Sequence, residues 1–246
     1  MLLRVISLLM FLAIWSFASM MAGDRIVPSP QTVARAFASE FASGAMVLNM
    51  GVTLLRVAAS FCIAMALGVA IGVAMGRSAR VDRLFDPWLL ILLNVPALVV
   101  IVLAFIWGGL TETAGILAVA INKLPNTVVT IREGARAFDR GLQDMAQVFQ
   151  ISRLARWRHV VLPQLAPYIA AGSRSGLSLI WKIVLVVELL GRPNGVGFEI
   201  GSAFQLFDVP RILAYSLAFV IVMLGIEMAL VQPFERRIAR WRPRRG

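Results

Sequence analysis

The sequence predicts an all-α polytopic membrane protein with about six transmembrane helices, and three observations carry that expectation. Hydrophobic residues make up 59% of the 246 and charged ones 15%, whereas a soluble globular chain has about 45–50% and about 25%; mean hydropathy is +0.82. Six runs approach the roughly 20 apolar residues that a helix needs to cross a bilayer core. The arginines gather where those runs end, as they do on the cytoplasmic flanks of membrane helices.

The first run, roughly 4–22, follows Arg4 and could be read as a signal peptide. It extends through Trp15 and Phe17, and no small-x-small cleavage site follows, so a retained helix is expected. The stretch Gly23 to Asn49 then predicts an external loop with a surface helix from about Gln31 to Phe41. Spans two and three cover roughly 52–76 and 87–108. The fourth, roughly 113–132, is the weakest, because Asn122, Lys123, Pro125 and Asn126 interrupt it. A helix broken at mid-depth often lines a cavity. The fifth and sixth spans cover roughly 163–190 and 209–231, ahead of an arginine-rich tail. No internal repeat is visible; spans two to six form the core and the first helix is an accessory.

Arginine bias sets the orientation. With the N-terminus cytoplasmic, the inside holds Arg4, a group at 77–83, a group at 132–158, and the tail from Arg236 to Arg245. The outside keeps Arg25, Arg35, Arg192 and Arg211. Both termini are then cytoplasmic. The net charge of +11 follows from this topology, which argues against nucleic acid as a partner.

One cysteine and one histidine exclude a disulfide framework and a multi-ligand Cys/His metal site. Cys62 sits in an apolar run and reads as a buried, inert thiol. No G-x-x-x-x-G-K-[ST] loop is present, and the lysines are Lys123 and Lys182 alone, so the chain has no recognisable means of gripping ATP phosphates. Any ATP it uses is hydrolysed by another chain.

The most informative stretch runs from Asp139 to Pro163, between spans four and five. After Asp139, a suitable N-cap, the apolar Leu142, Met145, Ala146 and Phe149 recur at helical spacing, with Gln143, Asp144, Gln147 and Gln150 away from that stripe. Asp144 reads as a first-turn residue at the positive end of the helix dipole. Ser152 reads as a break, and Arg153 to Val161 as a second short helix before Leu162-Pro163. Taken alone, the stretch equally fits an amphipathic helix resting on the membrane surface.

Its spacing resembles the cytoplasmic signature E-A-A-x3-G-x9-I-x-L-P of importer-type ABC permeases. Asp144-Met145-Ala146, then Gln150, then Val160 and Val161 before Leu162-Pro163, stand in the same register. Gln150 replaces glycine, and glycine is the residue that a left-handed turn favours, so the helix is expected to run on to Ile151. The rest of the chain is similar to the permeases of nitrate, sulfonate, taurine and thiamine-precursor importers. The features are Trp15, Val27-Pro28-Ser29-Pro30, Thr53-Leu54-Leu55-Arg56-Val57, Asp86-Pro87, Val95-Pro96-Ala97, Trp107-Gly108 and Gly195-Val196-Gly197.

The resemblance implies a single type I ABC importer permease domain over 1–246: an accessory helix and loop at 1–50, a core at 51–235, and a basic cytoplasmic tail at 236–246. It implies a bacterial inner-membrane subunit with no cofactor of its own. ATP and magnesium would act on a partner ATPase dimer, beside a second copy of this chain and an extracytoplasmic solute-binding protein docking near Gly23–Asn49 and Gly191–Asp208. The coupling helix would comprise Asp144, Met145, Ala146, Phe149 and Gln150, followed by Leu162 and Pro163. Asp144 would pair with a basic residue of the ATPase or cap its own helix.

Charged residues inside spans usually face a protein interior or a cavity. Arg174, Ser178 and Lys182 fall at i, i+4 and i+8 of span five and suit a positive wall of a translocation path for anions, as does Lys123 in span four. Structural pairing with acids of neighbouring spans, or snorkelling, would explain them equally. Arg56, at the outer start of span two, is expected to pair with Glu188 or Glu199 in preference to snorkelling to headgroups, and Glu227 to reach water near the inner boundary. Gly68, Gly72 and Gly76, with Gly172 and Gly176, permit close helix packing, within one subunit more readily than between two. Two other classes compete. An autonomous secondary transporter or channel needs no coupling helix and usually shows longer chains or inverted repeats. A membrane enzyme would want clustered Asp, His or Ser, and His159 stands without a nucleophile.

Overall fold

A computed structural model describes residues 2–233. The basic tail expected over 236–246 lies outside the described residues, as does the side chain of Arg4. The order is α1 (Leu2–Ala22), α2 (Pro30–Ala42), α3 (Ala45–Arg77), α4 (Ala79–Asn94), α5 (Ala97–Gly108), α6 (Glu112–Arg136), α7 (Arg140–Val148), α8 (Arg153–Arg156), a π-turn (Trp157–Val161), α9 (Leu162–Gly191), α10 (Val196–Gln205), α11 (Val209–Ile226) and a second π-turn (Glu227–Val231). No strand occurs among the described residues.

Among the described residues four helices, α1, α3, α6 and α11, are long and apolar enough to cross a membrane, and α4 with α5 makes a fifth if that bent pair is one span. The 30-residue α9, which carries Arg174, Lys182 and Glu188, is not among them. The expected count of six is therefore not reached by length and composition. The break also falls elsewhere than expected. Pro125 sits inside a continuous α6, whereas α4 and α5 meet at 97° across Val95-Pro96. Proline holds the residue before it in an extended conformation, and Val95 has φ −72° and ψ 125°.

Two compact units emerge, Met1–Leu54 with Leu185–Gly225, and Leu55–Val184 with Ile226–Gly246. In the first, α1 buries only 6% of its apolar window, as suits an accessory helix facing lipid. The indole of Trp15 donates to the Pro28 carbonyl at 2.9 Å, tying α1 to the start of α2. The Ser29 hydroxyl caps α2. The Ser29 N–H and Thr32 hydroxyl donate to Asp24 and hold its carboxyl below the usual range. Tyr215 and Arg211 of α11 engage Glu40 of α2, and Arg211 also pairs with Glu199 at 2.8 Å.

A buried lock organises the turn before α10. The Glu188 carboxylate, fully buried, accepts from the Thr53 hydroxyl at 2.9 Å and the Gly197 N–H at 2.8 Å. Thr53 in turn accepts from the Val196 N–H, and Asn49 from the Gly195 N–H. Gly195 has φ +106°, and a Cβ there would strike the Glu188 carboxylate. The Gly195-Val196-Gly197 motif thus exists to let backbone close around a buried carboxylate.

In the second unit, the glycines of α3 let it lie directly on α6. A Cβ at Gly68, Gly72 or Gly76 would stand 2.5, 2.8 or 2.6 Å from Thr127, Ile131 or Ala135. The stripe is used within the subunit, as expected. Val73, Ile131, Ala135, Phe138, Val161 and Leu165 form the adjoining core. At one end Arg56 makes a bidentate pair with Glu112, at 2.6 and 2.9 Å. At the other, Arg132 pairs with Asp82 and Asp86, and Arg136 with Asp82 and Glu133. Asp86-Pro87 therefore supplies an acid that fastens α4 to α6. Cys62 is exposed rather than buried. It lies on the same face of α3 as the exposed Leu55, two turns earlier, because an apolar run in a membrane helix turns much of its surface outward rather than to a core.

Candidate functional site

The interruption between α6 and α9 folds into α7, a tight turn and α8. Asp139 is the N-cap, accepting from the N–H groups of Gly141 and Leu142 at 2.7 and 3.3 Å. Its own N–H donates to the Gln164 side chain at 2.8 Å, and the Gln164 amide donates to the Val160 carbonyl. The start of α7 is thereby pinned to the base of α9.

Helix α7 ends at Val148, and Gln150 has φ +48°. The expected run to Ile151 does not occur. The Gln150 N–H returns to the Gln147 carbonyl and the Ile151 N–H to the Ala146 carbonyl, a left-handed termination that satisfies carbonyls at the helix end. Gln150 thus makes, without a glycine, a left-handed turn closed by those two backbone bonds. Asp144 lies in the second turn, not the first, and the capping is done by Asp139. Asp144 has no polar partner among the described residues.

The stripe divides. Ala146 is 1% exposed, whereas Leu142, Met145 and Phe149 are exposed, and Val148 beside them is 77% exposed. One small residue anchors α7 and the large ones remain without cover. Leu162-Pro163 does not separate two helices. The Ser152 hydroxyl caps α8, and the chain continues through the π-turn into α9. The Leu162 N–H reaches back to Trp157, the wider ring of a π-turn. Leu162 and Pro163 are both exposed at the head of α9.

The second constellation lies on α9. Ala171, Arg174, Ser175, Leu177, Ser178 and Trp181 line an open hollow of about 440 Å³ with Glu227 and Val231 of the second π-turn. Arg174 pairs with Glu227 at 3.4 Å across it, so Glu227 does not merely reach water. The Ser175 and Ser178 hydroxyls donate to carbonyls one turn back. Lys182 is exposed one turn beyond Ser178 and outside the residues that line the hollow. Lys123 is 2% exposed and lies on the other side of α9, where its stem fills the space over Gly176. A Cβ at Gly176 would be 2.6 Å from the Lys123 Cε. Charge and hydropathy made Arg174 and Lys123 visible in the sequence. Gln164 had no such signal, and Arg56 and Glu227, though visible as charges, take partners other than those expected, Glu112 and Arg174, since pairing depends on which helices become neighbours.

Among the described residues the elements are all helical, and the short amphipathic α7 is pinned to the base of the polar-faced α9. Residues 64–235 match the model of the binding-protein-dependent transport system inner membrane component family, and the chain belongs to that family. It is 30% identical over 88% of its length to SsuC of Bacillus subtilis, a permease protein named for aliphatic sulfonates transport, covering 78% of it. The Escherichia coli protein of the same name is 31% identical, over 94% of this chain and 88% of that one. The taurine transport system permease protein TauC of Escherichia coli is 26% identical over 92% and 84%. In fold, the chain matches a crystal structure of an amino acid ABC transporter with histidines. That match has a TM-score of 0.62 and 20% identity over 81% of this chain and 97% of that one. The chain is thus a transmembrane ABC transporter permease.

Proposed function

We propose that this permease is the membrane subunit of an ATP-driven importer for a small anionic solute. In this reading it works as two copies in a bacterial inner membrane, both termini cytoplasmic, with two ATPase subunits beneath and a solute-binding protein outside. Helix α7 is the coupling helix. The single observation carrying this is the exposed apolar face of α7, Leu142, Met145, Val148 and Phe149, on a helix whose N-terminal end is fastened to α9 and whose Ala146 is buried. A fastened helix transmits displacement as a rigid body, and its bare face gives an ATPase groove something to hold. Asp144, exposed and without an internal partner, offers a charge to the same groove. ATP and magnesium belong to that partner, and binding energy there becomes a population shift through contacts that differ between its two states.

The anionic cargo is supported by the positive face of α9, Arg174 with Lys182, by Lys123 behind it, and by relatives named for sulfonates and taurine. Ser178 and Arg174 line the hollow through which the solute would pass. Phe149→Asp tests the reading. It should abolish co-purification of the ATPase and ATP-dependent uptake while leaving the permease folded in detergent. Retention of both would end the coupling assignment and return an autonomous transporter to favour.

A further inference from the structure

Helix α4 sorts its charges between two faces. Asp82, Asp86 and the buried Leu89 fall at i, i+4 and i+7, on the side that meets α6, where Arg132 and Arg136 hold the two carboxylates. Arg80, Arg83, Leu84, Trp88 and Ile91 fall at i, i+3, i+4, i+8 and i+11, and all five are exposed. Among the described residues no acid pairs with Arg80 or Arg83. The Arg83 Nε–H donates to the Ala79 carbonyl one turn back, at 3.2 Å, which leaves its two terminal nitrogens without a partner among the described residues.

The outward face runs from charge to hydrocarbon. Arg80 and Arg83 are the last basic residues before 87–108, a stretch with no charged side chain, and so mark the place where the chain enters the bilayer. Leu84, Trp88 and Ile91 continue the face as an apolar track. From Arg80 to Ile91 the helix rises about 16 Å, half of the roughly 30 Å hydrocarbon core. The Trp88 indole stands edge-on to the Phe85 ring, with 6.4 Å between centroids, and is the amphipathic ring that collects at membrane–water boundaries. A soluble anion would use the arginines and leave the track bare. A phosphate head carrying acyl chains uses both halves, because guanidinium forks grip phosphate oxygens and the track takes a chain.

We propose that this face of α4 is a docking site for an anionic phospholipid of the cytoplasmic leaflet, its phosphate held by Arg80 and Arg83 and one acyl chain lying along Leu84, Trp88 and Ile91. The site shares no residue with α7 or with the hollow on α9. Of the importer reading it uses only the cytoplasmic placement of the turn between α3 and α4. The bound lipid fastens the outward face of α4 to the bilayer at the same turns whose inward face Arg132 and Arg136 clasp to α6. The first arm of the bent α4–α5 pair is thereby anchored on both sides.

Brominated lipids test it on the full-length chain in phosphatidylcholine nanodiscs. Phosphatidylglycerol brominated on its acyl chains should quench the fluorescence of Trp88, the part lost in Trp88→Phe, more strongly than brominated phosphatidylcholine at the same fraction. The excess should saturate with phosphatidylglycerol content and shrink at high salt. Arg80→Gln with Arg83→Gln should weaken phosphatidylglycerol binding about tenfold or more, the combined size of two basic contacts to an anionic membrane surface. Arg80→Lys with Arg83→Lys should keep most of the excess. Arg153→Gln with Arg158→Gln, which removes the same charge from α8 and the π-turn, should leave it intact, and glycerol 3-phosphate should not displace the lipid. Equal quenching by the two lipids, an excess that survives the double glutamine variant, or displacement by glycerol 3-phosphate overturns the proposal. If that variant keeps its lipid preference but loses co-purification of the ATPase, the face belongs to the ATPase instead. The quenching needs no ATPase, so its outcome is separable from that of Phe149→Asp.

Discussion

Gln150 shows what a single backbone angle can carry. Its φ of +48° places a side chain in the left-handed region, where an L-residue pays about 1–2 kcal/mol that glycine does not. Glycine gives back about 0.5–1 kcal/mol through the freedom it adds to the unfolded chain. Gln150→Gly should therefore firm the end of α7 by roughly 0.5–1 kcal/mol, read as slower hydrogen exchange at the amides of residues 150 and 151. Exchange that is unchanged or faster would mean that the Gln150 side chain holds the turn by a contact of its own. The spacing of the motif located this turn in the sequence. What the sequence left undetermined was whether two backbone bonds, to Gln147 and Ala146, could hold a glutamine there.

At the scale of the element, the glycine stripe of α3 is the strongest constraint. Gly72 meets Ile131 and the Val128 carbonyl with no room for a methyl group. Gly72→Leu must separate α3 from α6, and overpacking of that kind costs about 1–3 kcal/mol. Thermal unfolding in detergent should register a lower midpoint, with Gly51→Leu, where open space surrounds the Cα, as the control. Equal midpoints would place the α3–α6 contact elsewhere. The stripe was legible because small residues four apart on an apolar helix have one use, close approach. Its partner was not, since nothing in the sequence of α6 announces that Thr127, Ile131 and Ala135 face it. The prolines teach the same lesson. Pro125 and Pro96 look alike in sequence, yet α6 absorbs the first while the chain turns 97° at the second.

Among the described residues, large apolar side chains stand exposed along α1, α3 and α11. Cys62, the single cysteine, is exposed on α3, which is long and apolar enough to cross a membrane, and lipid is the environment to expect for it. In liposomes an apolar maleimide should label it and a charged, water-soluble maleimide should not, until detergent or denaturant is added. Rapid labelling by the charged reagent would put that face of α3 in water or on a path. The sequence alone determined the class, the first apolar helix α1, the helix α2 that follows it and the place of the amphipathic segment between α6 and α9. Each follows from local composition and periodicity, which act within a turn or two of chain. Only the tertiary structure decided that Arg56 meets Glu112, that Glu188 closes the turn before α10, and that Glu227 faces Arg174. It also buried Lys123, with its stem over Gly176 of α9. Those are pairings of residues far apart in the chain, and a charge inside a membrane takes its meaning from what packing brings within a few ångströms of it.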